Sequence, residues 1–133
     1  MFDIGLDNGV IVRGVTRKEL PRLLCYPFEK DYHSDVEVCY WRKHWGLRQR
    51  FLRAAFPNTY DKDEYEYKLN VEKVNILFHI ILDYLLHPSS WDNGYWEYRY
   101  IKYNLRRQVW NLFLLKKWMK RHPEVEVVFY DSY

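Results

Sequence analysis

At 133 residues the chain suits one domain with its own hydrophobic core and leaves little room for a second. The opening MFDIGLDNG has no basic start and no apolar run, so no secretory leader is expected, and residues 71–86 are too short and too interrupted by Glu72, Lys73, Asn75, His79 and Asp83 to span a bilayer. The formal net charge is +3, a small figure that hides a strong separation of acids from bases along the sequence.

Taken in order, residues 2–6 alternate apolar with polar or small side chains, as does the run from Val10 to Val12. Between them lies Asp7-Asn8-Gly9, and Asn-Gly tolerates the positive φ values of a tight turn, so the pattern predicts an N-terminal hairpin whose second strand ends at Gly14. Thr16-Arg17-Lys18-Glu19 matches a capping box, with Leu20, Leu23 and Leu24 as the packing face of the helix it opens. Pro21 falls just past the first turn, so this helix should be short or partly 3₁₀. A polar loop, Pro27 to Asp35, leads to an alternating strand over residues 36–40. A helix over 41–56 follows, with Trp41, Trp45, Leu52 and Phe56 on one line and Leu47, Phe51 and Ala55 close by, weakened at Gly46 and stopped by Pro57. Residues 58–70 are acidic and rich in tyrosine, an exposed loop or a short strand through Tyr65, Tyr67 and Leu69.

Residues 71–87 form the stretch that the rest must surround. Apolar side chains cover more than half of its helical circumference, leaving a polar stripe of Glu72, Asn75, His79, Asp83 and His87. A helix that is apolar nearly all round must be touched from several sides, which predicts a central core helix. A long helix over 95–122 comes next, its buried line running Tyr98, Ile101, Leu105, Val109, Leu112, Leu115 and Met119 until Pro123 stops it. The last strand, 124–130, is apolar on both sides and belongs inside a sheet. Clustered strands and clustered helices predict an α+β, two-layer domain. Its small, mostly antiparallel sheet (N-terminal hairpin, strand 36–40, strand 124–130) should pack against helices 41–56, 71–87 and 95–122.

Cys25 and Cys39 sit among apolar neighbours without a CxxC spacing, which fits reduced thiols and a cytoplasmic setting. The sequence has no Gly-rich phosphate loop, no GxSxG and no HExxH, so it offers no catalytic residues and no cofactor site. His79, Asp83 and His87 step by four along one helix and aim in nearly one direction, the spacing that could hold zinc or another divalent ion. The same residues are also the one wet stripe that an apolar helix needs, and a bound metal is not expected.

The charges are more telling. From Tyr98 to His122 the chain carries eight basic residues and no acid, and from Trp41 to Phe56 five basic residues and no acid. On a helical wheel Arg99, Lys102, Arg106, Lys117 and Lys120 share one side, with Trp110 and Phe113 between them. Cations interleaved with aromatics suit an acidic protein surface or a phosphate backbone with stacked bases. With 13 Tyr, 6 Trp and 7 Phe, some aromatics must also lie at the surface. These features read as a small, soluble, non-catalytic module that binds a protein partner through an aromatic-rich surface. Nucleic acid gripped by helices 41–56 and 98–122 is the alternative, through Arg99, Lys102, Arg106, Trp110 and Lys117. Metal-dependent chemistry around His79, Asp83 and His87 is the third. Whether the acidic segment 61–66 folds over the basic helices is left open.

Overall fold

A computed structural model describes residues 7–22, 35–42, 45–58, 65–87 and 98–132, with backbone only for residue 42 and residues 98–103. The fold is α+β: a four-stranded antiparallel sheet packed against three helices. In chain order these are β1 (Asp7–Arg13), a 3₁₀ turn (Arg17–Glu19), β2 (Asp35–Arg42), α1 (Trp45–Ala55), β3 (Glu66–Leu69), α2 (Val71–Leu86), α3 (Tyr98–Arg121) and β4 (Glu126–Ser132). The strands lie in the order β2-β1-β4-β3, so the last strand is interior, as its apolar faces require.

The register assigns the two faces of the sheet. Asn8, Val10 and Val12 stand opposite Asp131, Phe129 and Val127, while Tyr67 and Leu69 of β3 join the same rows. These residues are buried against the helices together with Val74, Leu77 and Ile81 of α2 and Leu105, Leu112 and Leu115 of α3. The central helix therefore sits where the sequence puts it. Asn70 starts it by accepting a hydrogen bond from the Lys73 amide at 2.8 Å, a side-chain cap of the usual kind.

The N-terminal turn is a correction. Asp7, Asn8 and Gly9 lie within β1, and the first strand of the expected hairpin, residues 2–6, falls outside the described residues. Local turn propensity loses to two tertiary contacts. The Asn8 amide donates to the Asp131 carboxylate at 2.8 Å, and Gly9 leaves the space that the Tyr130 ring occupies. Gly14, with φ of 76°, does end the strand. At Thr16 the hydroxyl reaches the Glu19 carboxylate at 3.2 Å but caps no backbone amide; the element is a single 3₁₀ turn, in line with the expectation from Pro21, while Leu23 and Leu24 lie outside the described residues.

Helix 41–56 is shortened as well. Trp41 belongs to β2, where its buried indole N–H donates to Gln108 and its ring packs near Phe129. The helix begins at Trp45, and its buried side is Leu47, Phe51, Leu52 and Ala55, all within the expected packing face, whereas Trp45 itself is 46% exposed.

Two polar residues on the buried side of α3 have a structural task. Asn111 donates to the Val38 carbonyl at 2.9 Å and Gln108 donates to the Tyr40 carbonyl at 3.2 Å, both on the outermost strand β2. α3 thereby satisfies main-chain groups of the strand that is outermost among the described residues, where unpaired groups invite pairing.

Candidate interaction surface on the helical layer

α2 and α3 pack side by side, and two contacts set their register. Lys116 donates to the Asn75 side chain at 2.8 Å, and Phe113 lies 6.4 Å, centroid to centroid, from Phe78. The steps run in opposite senses along the two helices, so the pair is antiparallel.

Outward from this seam, α3 presents a stripe with steps of four, three, four and three: Arg106, Trp110, Phe113, Lys117 and Lys120. Arg106, Lys117 and Lys120 are exposed, Phe113 is half-buried and Trp110 is 46% exposed. The rings form a row across the seam: Trp110 to Phe113 at 6.2 Å, Phe113 to Phe78 at 6.4 Å, and Phe78 to His79 at 5.3 Å. Ammonium groups rest on two of them, Lys117 over Phe113 at 4.8 Å and Lys116 over Phe78 at 4.1 Å. Burial, followed by the neighbouring Lys120 charge, lowers the Lys116 ammonium below the ordinary lysine range.

The described ion pairs lie off this stripe. Arg13, on the sheet face away from the helices, has Asp35, Glu66 and Glu126 around it, with the Glu66 carboxylate at 2.9 Å from Nη1. Glu66, the one residue of the 61–66 acidic segment whose carboxylate is described, therefore faces Arg13 rather than α3. In the helical layer Asp83 pairs with Arg50 at 2.9 Å and Asp131 pairs with Arg48 at 2.7 Å. Among the described residues, no carboxylate pairs with Arg106, Lys116, Lys117, Lys120 or Arg121.

Of the residues singled out from sequence, Arg106, Trp110 and Lys117 come together on one face. Arg99 and Lys102 belong to the backbone of the same helix, with side chains outside the described residues. The proposed ligand trio is differently employed. Asp83 gives one oxygen to Arg50, while His87 stands 3.9 Å from the other. Burial works against the Arg50 charge, but the Asp83 carboxylate and the neighbouring Tyr84 outweigh it and hold the guanidinium above its ordinary range. His79 turns toward the Phe78 ring, and among the described residues no group of three His, Cys, Asp or Glu could hold a metal ion.

Sequence reasoning missed the contribution of α2. Phe78, which lies against Phe113 of α3, is followed at steps of four by Leu82 and by Leu86, 64% exposed. The signal was present: a helix apolar over more than half its circumference has more apolar surface than one core consumes. No described helix is long and apolar enough to cross a membrane. Comparison with family models, characterised proteins and solved structures finds no match for this chain.

Proposed function

We propose that the protein is a non-catalytic binding module that docks an acidic protein partner on the outer face of α3. The observation that carries this reading is the group of cations on α3 without a carboxylate among the described residues, set beside a half-exposed tryptophan. Lys116–Lys120 and Lys117–Arg121 are like-charge pairs four residues apart, each costing a helix roughly 0.2–0.5 kcal/mol. The helix dipole offsets part of that cost in the last turn, where Lys120 and Arg121 lie, but not at Lys116 or Lys117. An acidic partner would turn this repulsion into attraction and bury the Trp110 ring, the residue type richest in binding hot spots.

A second reading, nucleic acid, is favoured by the acid-free length of α3 and by Trp110 as a stacking platform. Its signature would be affinity for single strands that falls with salt at a log–log slope of about −0.7 per phosphate contact, and that is lost when Lys102 and Arg106 become glutamate.

Tryptophan fluorescence titrations with polyglutamate and with oligodeoxythymidine at low salt test both readings. A saturable change with polyglutamate, weakened by salt and absent from the R106E/K117E variant, is the expected result. Tighter binding of the oligonucleotide would favour the second reading, and no binding of either polyanion would overturn both.

A further inference from the structure

We infer that the occupant of this face is an acidic amphipathic helix of a partner protein, lying along the seam between α2 and α3. The inference rests on the reading of α3 as a docking face and names the shape and chemistry of what docks there.

With Asn75 beside Lys116 and Phe78 beside Phe113, the antiparallel pairing carried onward puts Leu82 level with residue 109 and Leu86 level with residue 105. The α2 flank thus continues the apolar row from Phe78 through half-buried Leu82 to Leu86, 64% exposed, while α3 supplies Phe113 and Trp110 alongside. An apolar strip with steps of four on one helix and three on its neighbour matches the ridges of a third helix laid on the pair. From Arg106 to Lys120 the strip extends about 21 Å, some four turns of a docked helix.

The rim gives the charge. Arg106 stands at one end and Lys117, Lys120 and Arg121 at the other, all exposed and without a described carboxylate partner. Carboxylates on the flanks of an incoming helix meet these cations while its apolar side covers Phe113, Trp110 and Leu86. A nucleic-acid strand fits the same face less well. The Phe78 and Phe113 rings already carry the Lys116 and Lys117 ammonium groups and are half-buried, so of the described rings in the row only the Trp110 indole and the smaller His79 imidazole are open to a base. Exposed leucine offers a strand of nucleotides nothing.

The test uses the full chain and three probes: a helical peptide of about 18 residues with leucines along one side and glutamates on the other, a scrambled peptide of the same composition, and oligodeoxythymidine. Binding of the amphipathic peptide at least about tenfold tighter than the scrambled one is expected. Leu86→Ser, at an exposed helix end and checked for an unchanged melting temperature, should remove most of that difference and leave the scrambled peptide unaffected. Equal binding of the two peptides would overturn the helix inference while leaving α3 a general site for acidic chains. So would preferential binding of the oligonucleotide, or an L86S variant that binds as tightly as the parent. Failure of every probe to bind would overturn the docking-face reading itself.

Discussion

Arg48 on α1 holds the carboxylate of Asp131 on β4, with Nε 2.7 Å from one oxygen and 2.9 Å from the other. Asp131 is fully buried and also accepts from the Asn8 amide at 2.8 Å, so one side chain ties the helical layer to two adjacent strands. Removing one member of a buried ion pair takes from the other its main electrostatic partner, which costs about 3–5 kcal/mol. Asp131→Ala should lose stability on that scale in urea unfolding, and Asp131→Asn, which keeps the shape and an acceptor, should lose less. A loss well under about 1 kcal/mol for the alanine variant would mean that this contact does not hold the layers together.

Gly9 and Tyr130 make a second long-range pair. A Cβ on Gly9 would come within 2.5 Å of the outer edge of the Tyr130 ring, whose hydroxyl donates to Glu37 at 3.0 Å and would have to shift. Gly9→Ala should cost about 1–3 kcal/mol by overpacking. In a Tyr130→Ala background the same substitution should cost much less, a coupling that a double-mutant cycle measures directly.

Tyr130 also fixes a pH dependence. Burial, then the neighbouring Glu37 carboxylate that accepts its hydrogen bond at 3.0 Å, raises its hydroxyl well above the ordinary tyrosine range. The folded state keeps this proton where the unfolded chain, with a pKa of about 10, gives it up. The stabilisation is therefore complete below pH of about 10 and declines above it, by up to about 1.4 kcal/mol per pH unit for this group. Tyr130→Phe should show a shallower alkaline loss than the parent, and an unchanged slope would contradict the assignment.

The core was legible because its signals are local and repeated. Leu77, Ile81 and Leu105 recur at helical spacing and all lie in the one hydrophobic cluster. Leu77→Ala should cost about 2–5 kcal/mol, and Ile81→Asp should prevent folding altogether. The Asn8-Gly9 pair signals a turn in sequence because nothing in its neighbourhood reveals Asp131 or Tyr130, which lie more than a hundred residues away. Trp41 was read as helical for the same reason: its partner Gln108 is on another element. On the candidate surface the cationic stripe of α3 was visible in sequence, since charge and period belong to one helix. The part supplied by Phe78, Leu82 and Leu86 was hidden, because only the antiparallel register of α2 against α3 sets their rows side by side.

The most direct test of the docking surface is an NMR chemical-shift map of the isotope-labelled protein titrated with the acidic amphipathic peptide. The account predicts that the largest changes fall on the Trp110 indole N–H, on the Phe78, Leu86 and Phe113 side chains and on the amides around Lys117. Resonances of Ile11, Lys68 and Val128, on the sheet face away from the helices, should stay where they are. Changes concentrated on that sheet face, with the Trp110 indole unmoved, would contradict it.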